Sequence, residues 1–254
     1  MRNIRLTIAY DGTEFHGWQR QPKAPTIQSC LEAALERTVE HAVKVVAAGR
    51  TDAGVHAAKQ VANFKTSSRI PCLNLTKAVN DLLPLTVRVK EAQEAPHDFH
   101  ARYAARSKTY RYRILQAQVC SPFIARFVYP YPYPLDRGRM TEAARLIEGR
   151  HDFASFAGSC GTNYDVPPEA PSYTVREVFA SRILWRARTS ILAYEVRGNG
   201  FLHHMVRNIV GTLIEVGRGK LAPSDMVHIL EARDRRLAGP TAPAQGLCLM
   251  GVKY

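Results

Sequence analysis

Leu6, Ile8 and Tyr10 alternate with Arg5, Thr7 and Ala9, the period of a strand with one buried face. After Pro25 the period lengthens, and Ile27, Leu31, Leu35 and Val39 recur every fourth residue along one face of a helix. Strand-like runs follow at 43–48 and 59–65, separated by a polar loop; a helix fits 74–82, and a strand fits Leu85, Val87 and Val89. The order β-α-β-β-α-β is the split βαβ, or ferredoxin-like, arrangement.

The second half repeats the idea with larger insertions. Tyr110, Tyr112 and Ile114 alternate with Thr109, Arg111 and Arg113 in a strand. The Tyr/Pro segment 129–134 is barred from helix and should run extended. A helix near 139–148 precedes a hairpin of two strands over 173–181 and 184–197. The strongest helix pattern covers 200–217, with Leu202, Val206, Ile209, Val210 and Leu213 as its stripe. A short helix after Pro223 and a strand at 247–252 close the second domain. The expected fold class is α+β: two ferredoxin-like domains, 1–105 and 106–254, with mixed, mainly antiparallel sheets joined around a central cleft.

Composition narrows the partner. The 254 residues are 46% hydrophobic and 22% charged, an ordinary globular balance, but 35 Lys and Arg against 22 Asp and Glu give +13. Such an excess suits a polyanion, whose counterions are released on binding; a basic surface without a specific partner is the alternative. Arginine's planar fork suits phosphates and stacked bases, and arginines recur at Arg102, Arg106, Arg111, Arg113, Arg126, Arg137 and Arg139. Cys30, Cys72, Cys120, Cys160 and Cys248 are scattered, with no close pair to build a zinc site, and read as reduced thiols of a cytoplasmic protein. No signal peptide and no membrane-length apolar run is apparent.

The loop 49–57, Gly-Arg-Thr-Asp-Ala-Gly-Val-His-Ala, concentrates a guanidinium, a hydroxyl, a carboxylate and two glycines between strand-like runs. Asp52 either caps the turn by accepting backbone N–H groups or is held out toward a ligand. Arg50, two positions away, would keep such a carboxylate ionised, and an ionised carboxylate can attack a sugar carbon or an electron-poor ring carbon. Residues 53–57 offer no second acid for a metal, so any chemistry there is expected to be metal-free.

Other residues admit two readings as well. Tyr110 and Tyr112 share one face of their strand, where one should be core and the other could stack on a base. Trp18 and Phe15 beside Arg20 give the same basic-plus-aromatic pattern in a loop. Within the expected helix 200–217, Arg207 lies at the rim of the stripe, where it can snorkel to solvent or reach into the cleft; His203 and His204 read as packing residues.

Taken in order, these segments resemble the tRNA pseudouridine synthase A (TruA) family. The carriers are Tyr10-Asp11-Gly12-Thr13 with residues 15–19, the loop 49–57, residues 99–102 followed by Lys108-Thr109-Tyr110, and residues 151–153. Residues 200–201, 205–207 and 216–217, then 241–243 and 246–247, complete the series. The stretch 159–172 matches nothing recognisable, and its role is open.

The resemblance implies that Asp52 is the catalytic aspartate, Tyr110 the aromatic that packs on the target uracil and Arg207 the ionic partner of the carboxylate. It implies that Arg50 helps hold a flipped-out nucleotide; Arg20, Arg102, Arg111 and Trp18 are the further RNA contacts expected from the basic and aromatic pattern. It further implies a cofactor-free isomerisation of uridines at positions 38–40 of the tRNA anticodon stem-loop, carried out by a homodimer in the cytoplasm. Set against it are a non-catalytic RNA-binding module, whose aromatic strand motif is missing here, and an aspartate-dependent phosphatase, which lacks its metal acids.

Overall fold

The computed structural model describes residues 1–158 and 173–254. The stretch 159–172, including Cys160, lies outside the described residues. The chain divides into two compact units, Met1–Lys108 together with Cys248–Tyr254, and Thr109–Leu247.

The first unit opens with β1 (Arg2–Tyr10), α1 (Ile27–Val39), β2 (Val46–Ala47), β3 (His56–Thr66), α2 (Cys72–Leu82) and β4 (Val87–Ala95). Its sheet runs β4-β1-β3, with β2 on β3, which is the ferredoxin-like order. Alternation in β1 holds as read: Ile4, Leu6, Ile8 and Tyr10 are all buried. The β1–β3 register slips between Ile8 and Tyr10, where the step from Ile8 to Tyr10 faces the longer step from Gln60 to Ala57, so the extra residue lies on β3 and Tyr10 keeps the buried face. The stripe of α1 is buried at Ile27, Leu31, Leu35 and Val39, and Thr26 caps the helix in a reciprocal pair with Ser29. Leu85 is 89% exposed instead of starting a strand, because Val87 N–H bonds back to Pro84 O and turns the chain there.

The second unit is built on β5 (Ser107–Leu115), β6 (Tyr129–Pro130), α3 (Arg137–Arg145), β7 (Gly149–Asp152), β8 (Val175–Arg186), β9 (Ile191–Gly198), α4 (Met205–Gly217) and α5 (Asp225–Ala232). Its sheet runs β5-β9-β8-β7, with β6 parallel to β5. The hairpin turn falls later than expected: β8 continues to Arg186, and a 3-10 turn at Ala187–Thr189 ends on Ser190 in the left-handed region. Helix α3 starts earlier than expected, because Asp136 caps it by accepting from Arg139 N–H. Helix α4 starts at Met205 rather than Gly200, since His204 takes φ 58°, a left-handed conformation that a continuing helix excludes. His203 and His204 are therefore outside the body of the helix.

The strand β10 (Leu247–Lys253) pairs in parallel with β3, Cys248 opposite His56 and Leu249 opposite Ala57. β2 uses the same edge of β3 further along, at Ala62 and Asn63. The run 43–48 forms only a two-residue strand because α1 side chains take its backbone groups: Val45 N–H donates to Glu32 Oε1 at 2.9 Å and Val45 O accepts from Gln28 Nε2 at 3.2 Å, while Val43 and Val45 are buried as the alternation predicts. Tyr254 closes the unit by donating from its hydroxyl to Ala101 O at 2.9 Å, its ring packed 5.1 Å from that of Phe99. Among the described residues no helix is long and apolar enough to cross a membrane.

Candidate active site

In the first unit, the residues around Asp52 are fixed from beneath by the β1 end and the loop after it. Trp18 N–H donates to Thr51 O at 2.9 Å, and Tyr10 Oη lies 2.9 Å from Thr51 Oγ1. Gln60 Nε2 donates to Gly49 O at 2.8 Å, Gly54 N–H to Phe15 O at 3.3 Å and Val55 N–H to Asp52 O at 3.1 Å. Thr51 is 6% exposed, whereas Asp52 is half-buried and Arg50 exposed. The loop thus turns its hydroxyl residue inward, and its backbone is anchored on both sides of Asp52. Burial drives the Tyr10 phenol well above its ordinary value, against the pull of its bonds to Thr51 and Gln60, so the ring stays neutral.

Two glycines allow this approach. A side chain at Gly12 would put its Cβ 2.1 Å from Val55 O, and one at Gly17, where φ is +85°, would lie 2.7 Å from Thr51 O. Gly12 N–H donates to His56 Nδ1 at 3.1 Å, and the same nitrogen lies 3.2 Å from Asp11 Oδ1. The Tyr10–Thr13 motif and the Asp52 loop are therefore one packed object. Tyr10, Thr51 and Gln60 are its polar pins, and no local motif marks them as such because the pairing joins residues remote along the chain.

Trp18 differs from its expected role. It is 2% exposed, its ring 6.1 Å from that of Tyr10, so it braces the loop instead of offering a face to a base. Ile27 N–H bonds Gly17 O and Gln28 N–H bonds Trp18 O, folding this segment back onto the start of α1. Arg20 is committed too: it is ion-paired with Glu32, a carboxylate only 3% exposed that also accepts from Val45 N–H at 2.9 Å. Arg102 is half-buried, its guanidinium 5.8 Å from the Tyr103 ring centre.

In the second unit, Tyr112 is the core aromatic of the pair. It is fully buried, its hydroxyl donates to Pro243 O at 2.7 Å, and Gly246 has no side chain because a Cβ there would lie 2.6 Å from the ring. Burial pushes its phenol far upward, opposed in part by the charge of Arg207. Tyr110 is 7% exposed and packs edge-on to Phe201, ring centres 5.2 Å apart. Arg207, in the first turn of α4, is half-buried and donates from Nε to Ala242 O at 2.8 Å. Consecutive residues Ala242 and Pro243 thus hold both Arg207 and the strand that carries Tyr110. His203 and His204 stack with ring centres 3.7 Å apart. Arg111 donates from Nε and Nη2 to Glu195 Oε2 at 3.0 and 2.5 Å, which engages its charge within the sheet.

A family model described as tRNA pseudouridine synthase matches residues 6–104 and 143–254, which include the Asp52 loop and α4. The chain is similar to tRNA pseudouridine synthase A of Solibacter usitatus, 49% identical over the full length of both chains. It is 43% identical to the protein of that name from Caldicellulosiruptor bescii, again over all of both chains. To the one from Syntrophotalea carbinolica it is 45% identical, over 100% of this chain and 97% of the relative. On matches of this extent, the chain belongs to the tRNA pseudouridine synthase family.

Proposed function

We propose that this protein isomerises uridine to pseudouridine in tRNA, at positions 38–40 of the anticodon stem-loop, with Asp52 as the reactive carboxylate. Tyr110 packs on the target uracil, Arg207 is the ionic partner of the carboxylate, and Arg50 helps hold the nucleotide. The observation that carries the reading is the anchored loop: Thr51 is locked to Tyr10 and Trp18 while Asp52, the next residue, stays half-buried. A carboxylate meant only to cap a turn does not need its neighbours pinned by a second loop; a reacting one does, because small misplacements cost rate.

The reaction balances without a cofactor. The bond from N1 of uracil to C1′ of the ribose breaks, the base turns, and a bond from C5 to C1′ forms. C5 loses its proton and N1 gains one, so the product is an isomer of the substrate. The carboxylate attacks C1′, attacks the ring or removes a sugar proton; each route needs it ionised and close to the nucleotide. Extracting the base from the stack costs a few kcal/mol, which an aromatic neighbour and cationic contacts to the backbone offset. The +13 charge suits that substrate, and a homodimer acting in the cytoplasm is part of the same proposal.

Tritium release from tRNA carrying 5-tritiated uridine tests it. Wild type should release the label, and Asp52→Asn should not, while binding tRNA within a few-fold of wild type. Retained release by the variant would refute the role of Asp52. Binding without release by either protein would instead indicate a module that only binds RNA.

A further inference from the structure

Arg207 is gripped twice by one residue. Its carbonyl accepts from Ala242 N–H at 3.1 Å, and its Nε–H donates to Ala242 O at 2.8 Å. The guanidinium is planar, so the direction of the Nε–H bond sets the plane in which its two terminal nitrogens lie. Whatever fixes the Ala242 carbonyl therefore fixes the aim of the cation.

The residue before Ala242 is itself tied to α4 by a closed set of polar bonds. Thr241 Oγ1 donates to Asn208 Oδ1 at 2.6 Å, and Arg235 Nη2 donates both to that oxygen at 3.1 Å and to Thr241 Oγ1 at 3.2 Å. Asn208 is fully buried and follows Arg207 directly in the helix; its Nδ2 donates to Phe156 O at 2.7 Å. The segment has no room to slide. A Cβ at Gly211 would fall 1.6 Å from Pro240 O, and Gly239 N–H donates to Thr212 Oγ1 at 2.8 Å. Apolar packing could hold this strap against the helix, but only directional bonds fix its rotation.

We infer that Thr241, Asn208 and Arg235 are a positioning set for Arg207, aligning the Ala242 carbonyl that orients its guanidinium during the isomerisation. This rests on the proposed role of Arg207. None of the three is assigned contact with the nucleotide; they act through Arg207.

The test compares Thr241→Val, which removes the hydroxyl with little change of volume, with Thr241→Ser, which keeps it. Single-turnover tritium release per folded molecule is measured well below the melting temperature, beside tRNA affinity and the melting temperature itself. Thr241→Val should slow release about tenfold with affinity nearly unchanged, the signature of lost alignment, and Thr241→Ser should restore it. A lowered melting temperature with an unchanged rate would reduce the set to a structural brace and overturn the inference. If Thr241→Val fails to fold, Arg235→Lys, which keeps the charge but loses the two-pronged reach, is read in the same way. A wild type that releases no tritium would overturn the functional reading, and the inference with it. An active wild type with an unaffected variant would overturn the inference alone.

Discussion

The hydroxyl of Tyr10 lies 2.9 Å from that of Thr51, which fastens the residue before Asp52 to the end of β1. Both groups are buried, and Gln60 Nε2 approaches the same phenol oxygen at 3.4 Å. Tyr10→Phe keeps the ring against Trp18 and removes only the hydroxyl. It should cost about 1 kcal/mol in urea unfolding, the ordinary worth of one buried hydrogen bond. Its tritium release should fall by more than that loss of stability explains, since the loop loses a pin beside the reacting carboxylate. Release at the wild-type rate would mean that Trp18 and the glycine contacts hold the loop unaided.

Gly17 and Gly219 both have positive φ, +85° and +78°, but a Cβ at Gly219 meets nothing within 4 Å. Gly219→Ala should therefore cost about 1 kcal/mol, the left-handed penalty alone. Gly17→Ala adds a collision with Thr51 O, and about 3 kcal/mol in total is expected. Equal losses in parallel denaturation curves would show that the loop yields without strain.

Glu195 holds Arg111 through two hydrogen bonds to one carboxylate oxygen. Arg111→Gln should then weaken tRNA binding only slightly. Glu195→Gln, which releases the guanidinium, should tighten binding and steepen its salt dependence by about one phosphate contact. Affinity measured across a salt series decides this, and weaker binding by Glu195→Gln would contradict the assignment.

The chain has two tryptophans, Trp18 at 2% exposure and Trp185 at 37%, the latter with the Arg137 guanidinium 4.4 Å from its ring centre. In Trp185→Phe the remaining emission should be blue-shifted, resist acrylamide and stay unchanged when tRNA is added. Quenching of that emission by RNA would return Trp18 to the contact surface.

Much of this was legible in the residue pattern, and the exceptions share a cause. β1, α1 and the Tyr110 strand carry strict periods, and their buried faces follow those periods. The start of α4 was hidden because Leu202 is buried in phase with the stripe, while the left-handed turn at His204 leaves no trace in hydrophobicity. The run 43–48 is strand only at Val46 and Ala47 because Glu32 and Gln28 on α1 bond the backbone of Val45, a contact that local pattern does not show. Trp18 beside Arg20 resembled an RNA-facing pair; the backbone bonds to Ile27 and Gln28 turn it inward, and no count of residues reveals them. Motif segments marked where the candidate site lies, but its pins at Thr51, Gln60, Asn208 and Arg235 depend on contacts between distant parts of the chain.

The pairing of β10 with β3 also sets a timetable. The strand that leaves the Asp52 loop begins at His56, and its neighbour at Cys248 is made only after the whole of Thr109–Leu247 has been synthesised. Until then the first unit lacks both that strand and the Tyr254 ring that packs on Phe99. A nascent chain halted before residue 248 would carry every residue proposed for the chemistry, yet its carboxylate loop would leave through an unpartnered edge. The synthesis of this protein thereby delays a finished Asp52 loop until the second unit has been made.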